Sequence, residues 1–345
     1  MTALWNAELW IPLFLQGLGG WLLVPMQALT ALGRVQFFMV LMPALYWCVD
    51  TGVGFRAATM LLLGTGLNDL LKLSFHTPRP YWFSAQVKAL GGEGTFGFPS
   101  GHAETAAGVW GLLAVEARKT WAWLLAAVLV LLIGVSRVYL GVHFASDVVA
   151  GWAIGILSLM VFLRVEKPLA RWFAGLSFWQ QSALGMASSL WIIGMQLVAV
   201  RLVRGLPFPL EWALTAGRAR PDTVLDPLML TDTVIVAGTW LGMCAGAAYL
   251  RARGGLAAGG SLPARLARFL VGMAGLALLY LGLGAVLPRG EDLISYSLAY
   301  GLYTLVGFWV GAGAPLVFIR LGLASAKEAP VEREERIPAD QLAPS

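Results

Sequence analysis

Apolar residues run through this chain in long blocks, broken by short charged hinges. A hydrocarbon core of about 30 Å needs roughly 20 apolar residues for one helical crossing. Blocks near 8–32, 35–51, 54–75, 101–117, 120–137, 143–164, 180–203, 233–250, 268–287 and 293–319 meet or approach that length. A backbone facing lipid must satisfy its own hydrogen bonds, so each block is predicted to be a helix. The expected fold class is all-α, a polytopic transmembrane helical bundle. The first block is interrupted by Pro12, Gly17, Gly19, Gly20 and Pro25, which predicts a kinked or partly re-entrant segment.

Composition agrees with the pattern. Hydrophobic residues make up 58% of the 345, charged residues only 12%, and mean hydropathy is +0.73. A soluble domain carries about 25% charged residues. The formal net charge is +5, but the Lys and Arg residues lie in hinges rather than in a patch. They read as topology-setting charges, and nucleic acid is not an expected partner. Cys48 and Cys244 fall in apolar blocks and read as packing residues rather than a disulfide or a metal pair. The opening MTALWNAELW has no positive n-region and no small-x-small site, so a cleaved signal peptide is not expected.

Charge in the hinges gives an orientation. With ten crossings and a cytoplasmic N-terminus, one side collects Arg56, Arg118, Lys119, Arg164, Lys167, Arg171, Arg251, Arg253, Arg265, Arg268, Arg320, Lys327, Arg333 and Arg336. The other holds Arg34, Lys72, Arg79, Lys88, Arg137, Arg201, Arg204, Arg218, Arg220 and Arg289. The first side is the expected cytoplasmic one. Two polar segments, 76–100 and 205–231, are then outer loops, and residues 324–345 read as a disordered cytoplasmic tail.

Ionisable side chains at the rim of a span are costly and ask for a reason. Lys72 closes the third block, Arg79 follows in RPYW, Ser100, Gly101 and His102 open the fourth, Arg137 closes the fifth, and His143 and Asp147 open the sixth. The topology brings all of them to one membrane face. One ammonium and two guanidiniums suit the oxygens of a phosphate. Ser100 and Gly101 stand at a helix start, where free N–H groups and the helix dipole attract anions. His143 and Asp147, four apart, share a helix face. A carboxylate there can hold Nδ1–H and leave Nε2 as a nucleophile, with Asp147 orienting the ring and His102 placed to protonate a leaving oxygen.

KLSFHTPRP, PSGH and SRVYLGVHFASD, in that order, resemble the three signatures of the type 2 phosphatidic acid phosphatase superfamily, K-x6-RP, PSGH and SR-x5-H-x3-D. The resemblance covers roughly residues 8–164 and implies a six-helix phosphatase core within 1–170. It implies that His143 is the nucleophile of a phosphohistidine intermediate, His102 the general acid and Asp147 the orienter. It also implies that Lys72, Arg79, Ser100, Gly101 and Arg137 bind the phosphate and that no metal or other cofactor is needed. The expected activity is hydrolysis of a lipid phosphate or diphosphate in a membrane, with lipids as substrate and surroundings. A bacterial inner membrane with the site on its outer face is the expected location.

Other readings of the same residues are a lipid phosphotransferase and a phospholipid transporter or binding protein that uses the site without catalysis. A soluble vanadium-dependent haloperoxidase shares the signatures but not the apolar blocks. Asp69, three residues before Lys72, is a candidate to hold that ammonium towards the phosphate. His76 reads as an interfacial polar residue, Tyr81, Trp82, Phe96 and Phe98 as an interfacial aromatic belt, and Glu104 is left without a role. About four further helices fill 171–323. With the 205–231 loop they serve packing or oligomer contacts, or a gate in which LPFPLEW lies over the mouth while Arg201 and Arg204 draw in anionic headgroups.

Overall fold

The structure, a computed structural model, describes residues 2–288 and 290–326. Every regular element among them is helical. In chain order these are α1 (Thr2–Glu8), α2 (Trp10–Gly17), α3 (Leu23–Ala31), α4 (Val35–Cys48), α5 (Thr51–Phe75), α6 (Pro80–Phe83), α7 (Gly101–Ala117), α8 (Thr120–Tyr139), α9 (Ala145–Ala174), α10 (Phe178–Val203), α11 (Leu210–Ala219), α12 (Thr231–Arg251), α13 (Leu262–Val286) and α14 (Leu293–Arg320). The chain is an integral membrane protein. Six helices, α8, α9, α10, α12, α13 and α14, are long and apolar enough by themselves to cross a bilayer. Leu124, Val149, Ile156 and Trp191 stand exposed on the outside of this bundle, as side chains facing lipid do. Of the expected tail at 324–345, residues 327–345 lie outside the described residues, as does Arg289, while Ser325 O accepts from Ala257 N at 3.0 Å.

The first segment departs from a simple crossing. Its two arms, Thr2–Gly17 and Gly20–Ala31, meet at 87°, and Gly19 supplies the bend with φ 118, which a side chain would resist. Both arms stay at the membrane face that carries the signature residues. Glu8 Oε2 accepts from Ser146 N and Oγ, Gln16 Nε2 donates to Tyr139 O, Tyr139 Oη donates to Gly19 O, and Thr30 Oγ1 accepts from Arg137. The segment is therefore re-entrant, and residues 2–34 begin and end on the site face. This corrects the ten-crossing count and places the first residues on the same face as the signature residues, where the ten-crossing reading had put them on the opposite one. The division of hinge charges between the two faces is unchanged by this, because no Lys or Arg precedes Arg34.

Tight helix contacts set the geometry of the core. In lipid, helices associate through close packing, and small residues let backbones approach. Gly151 on α9 lies against α7, where an added Cβ would stand 2.5 Å from Ser100 O. On α12, Gly238 and Gly246 face α14 in the same way, with a Cβ at Gly238 standing 2.6 Å from Tyr300 O. At the end of the core away from the site, Arg56 ties three helices together. It donates to Glu166 on α9 at 2.6 and 2.8 Å and pairs with Glu116 on α7. Arg56 thus has local counter-charges as well as a place in the hinge count.

Candidate active site

The signature residues converge as expected, and local sequence explains how each is held. Asp147 stands in the first turn of α9, and its Oδ2 accepts the Phe144 N–H at 2.9 Å. The carboxylate caps its own helix. The same oxygen lies 3.3 Å from His143 Nδ1. The other ring nitrogen, Nε2, lies 3.2 Å from Arg79 Nη1. A guanidinium only donates, so Nε2 must offer its lone pair and Nδ1 must carry the proton to Asp147. The tautomer follows from the two neighbours. Burial pushes the His143 imidazole well below the usual histidine range, and the guanidiniums of Arg79 and Arg137 push the same way.

Arg79 is 1% exposed and uses all of its donors. Nε donates to Thr95 O at 2.6 Å, Nη1 to Val142 O at 2.9 Å and to His143 Nε2, and Nη2 to Thr95 Oγ1 and Phe96 O. It clamps the 95–96 strand of loop against the His143 turn. Lys72 Nζ donates to Thr95 Oγ1 at 3.3 Å. Arg137 donates to Thr30 Oγ1 at 2.7 Å and pairs with Glu93. Burial opposes the Glu93 charge, but Arg137 and Arg79 outweigh it and hold the carboxyl below the usual carboxylate range.

Ser100 caps α7 through its side chain, and its N–H donates to Asp147 O at 2.9 Å. That bond joins the second signature to the third. The N–H groups of Gly101 and His102 have no acceptor among the described residues. They form the anion-attracting start of the helix. An added Cβ at Gly101 would stand 2.8 Å from Asn68 Oδ1, so only glycine lets α5 approach this turn. His102 packs against Gly33 at the end of the re-entrant segment, and its Nε2 is buried without a protein partner.

Four sequence readings are refined. Asp69 makes neither a hydrogen bond nor an ion pair with Lys72. The lysine reaches across to Thr95, while the carboxylate a turn earlier stays deeper, with Oδ2 buried and unpartnered. Glu104 acquires a structural position: its Oε2 accepts from Asn68 Nδ2 at 2.7 Å, and the same amide donates to Pro99 O at 3.3 Å. The bridge ties α5 and α7 beneath the PSGH turn. His76 ends α5 in the left-handed region, φ 36, with Nδ1 3.0 Å from Leu73 O. Trp82 and Phe96 of the predicted belt are buried under the second loop instead of lining the interface. Phe208 packs on Trp82 and Phe96 at 6.1 and 6.3 Å, and Trp212 on Trp5 at 6.1 Å. Thr95, Asn68, Gly33 and Glu93 were missed. Only Glu93 left a signal, as the single carboxylate in the loop between Arg79 and PSGH.

Comparisons with known proteins give the family. Residues 54–171 match the PAP2 superfamily, and residues 234–327 match the PAP2 superfamily phosphatase transmembrane extension. Phosphatidylglycerophosphatase B of Bacillus subtilis (strain 168) is 31% identical over 168 residues, covering 44% of this chain and 78% of that protein. Undecaprenyl-diphosphatase of Sulfolobus acidocaldarius is 32% identical over 116 residues, covering 33% of this chain and 54% of that protein. The crystal structure of a transmembrane PAP2 type phosphatidylglycerolphosphate phosphatase from Bacillus subtilis aligns with 49% of this chain and 88% of its own, at 28% identity and a TM-score of 0.43. The chain belongs to the PAP2 superfamily and is a membrane phosphatase of that family.

Proposed function

We propose that the protein hydrolyses the phosphate of a membrane lipid through a phosphohistidine. The observation that carries this reading is the state of His143: Nδ1–H faces Asp147, and the Nε2 lone pair faces Arg79. An incoming phosphate takes over the Arg79 Nη1 donor and leaves Nε2 free for in-line attack. The P–N bond forms as the P–O bond to the lipid breaks, and the departing oxygen takes the proton of His102. Water then attacks phosphorus, its proton returns to His102, and the P–N bond breaks to release inorganic phosphate. Lys72, Arg79, Arg137 and the Gly101–His102 N–H groups stabilise the equatorial oxygens. These side chains carry the whole cycle with no metal ion.

The substrate class follows from place. The site residues gather at helix ends on one face of the bundle beside the aromatic residues of the second loop, where a headgroup would enter while its tails stay in lipid. The relatives named above act on phosphatidylglycerophosphate and undecaprenyl diphosphate by their names, and both are lipid phosphates. The hinge charges favour the site on the outer face, in a bacterial inner membrane, with Arg201 and Arg204 exposed at the end of α10 near the entrance. In this reading residues 1–170 form the catalytic core, and 171–323 supply further helices and the cap.

The test is phosphate release by purified protein over a panel of lipid phosphates and diphosphates, with chelator present and His143→Ala as control. Release that persists with chelator and vanishes in the variant supports the reading. Labelled phosphoryl group appearing on an acceptor lipid instead of in solution would make the protein a phosphotransferase. Lipid binding retained by both proteins with no release from either would leave a carrier.

A further inference from the structure

The phosphate site contains its own anion. Glu93 Oε1 pairs with Arg137, and Oε2 lies 4.0 Å from Arg79 Nη2. Lys72 and His102 also act on this carboxylate, so each basic group assigned to the phosphate or the leaving oxygen surrounds it. The arginines are fixed, with side chains 1% and 4% exposed, whereas the Glu93 side chain is 30% exposed and stands at the mouth. Of the paired groups, the carboxylate is the one with room to leave.

The backbone beneath it is held. Tyr81 Oη donates to Glu93 O at 2.8 Å and accepts from Glu93 N at 3.2 Å. Gly92 and Gly94 lie against Thr223 and Val224 of the second outer loop. Movement is thereby confined to the side chain, which has three rotatable bonds between a pinned backbone and a carboxylate in the cradle.

We propose that Glu93 is a placeholder that occupies the phosphate cradle of the empty enzyme and is displaced by the substrate phosphate. Buried cations without a counter-charge are costly, and the carboxylate supplies that charge between turnovers. A phosphate offers more negative charge and more acceptor oxygens, so it wins the exchange, but its net affinity is lowered by the pair it must break. The placeholder sets how weakly product phosphate is held, and hence how readily it leaves. This inference rests on the phosphatase reading of the pocket.

The experiment measures binding of inorganic phosphate by calorimetry to purified full-length wild type, Glu93→Gln and Glu93→Asp. Glutamine keeps the size and removes the charge, and aspartate withdraws the charge from Arg137. Hydrogen bonds with an ionised partner are about twice as strong as neutral ones, so removing this competitor is expected to tighten phosphate binding at least fivefold in Glu93→Gln. Glu93→Asp tightens it in the same direction and serves alone if the glutamine variant does not fold. Equal or weaker phosphate binding by both variants overturns the placeholder, even where turnover falls, since Glu93 would then belong to the chemistry. If wild type and variants all fail to bind phosphate, the phosphate-site reading itself fails and takes the placeholder with it.

Discussion

Gly151→Ala tests whether the approach of α9 to α7 sets the catalytic geometry. The added Cβ would stand 2.5 Å from Ser100 O, 3.0 Å from Ala103 Cβ and 3.2 Å from Glu104 N. The first of these is about 1 Å short of ordinary contact, and two of the three are backbone atoms that cannot rotate away. One helix must therefore move by several tenths of an ångström to about 1 Å. Asp147 lies one turn from Gly151 on α9, and Ser100 N donates to Asp147 O, so the movement falls between the second and third signatures. Overpacking costs about 1–3 kcal/mol, while replacing glycine inside a helix returns up to about 1 kcal/mol. A 1 Å misplacement can cost about 100-fold in rate. The expected variant is thus folded, with thermal stability lowered modestly and kcat down ~100-fold on a short-chain, detergent-soluble lipid phosphate. Gly194→Ala on α10, where nothing lies within 4 Å, is the control and should keep both stability and rate. A Gly151→Ala enzyme within threefold of wild-type kcat would refute the reasoning.

Asp147→Asn can keep the Phe144 N–H cap through its amide oxygen while losing the charge that faces His143 Nδ1; kcat should fall by about 10³–10⁴ with little change in melting temperature, by analogy with other carboxylate–imidazole pairs. Gly33→Ala would put a Cβ 2.7 Å from His102 Cδ2, so the ring must shift, and turnover should drop most on substrates with poor leaving groups. Because burial and two guanidiniums lower the His143 pKa, its neutral form is complete above the ordinary histidine value of about 6.5 and is lost only as pH falls through the lower folded value. The nucleophile's acid limb in kcat/KM should therefore lie below pH 6.5, and a limb at or above it that vanishes in no other site variant would contradict the assignment. Phe208→Ala removes ring contacts with Trp82, Phe96 and Trp212; turnover on long-chain lipid phosphates should fall several-fold more than on a soluble phosphate ester if the second loop guides lipids, and equally on both if it only packs.

The convergence of the signature side chains was legible in the sequence because much of it depends on spacing within single helices and turns. The four-residue spacing brought Asp147 to His143, although through the turn that enters α9 rather than along a helix face, since His143 stands before the helix start. Ser100 and Gly101 make an anion-attracting helix start wherever that helix is placed. The apolar blocks likewise fixed the class, since a bilayer leaves helices as the available element for such runs. Tertiary structure decided what depends on distance between segments. The re-entrant path of residues 2–34 is set by contacts of Glu8, Gln16 and Thr30 with α8 and α9, and hydropathy alone reads that block as a crossing. Asp69 lay on the right face to meet Lys72, but the lysine side chain is long enough to choose Thr95 across the loop. Glu104 found its partner, Asn68, on another helix, and Glu93 reached the cradle from a glycine-rich loop that carries no periodicity to read. A local pattern fixes which groups a segment can present, while the choice among their partners falls to packing between segments that are distant in sequence.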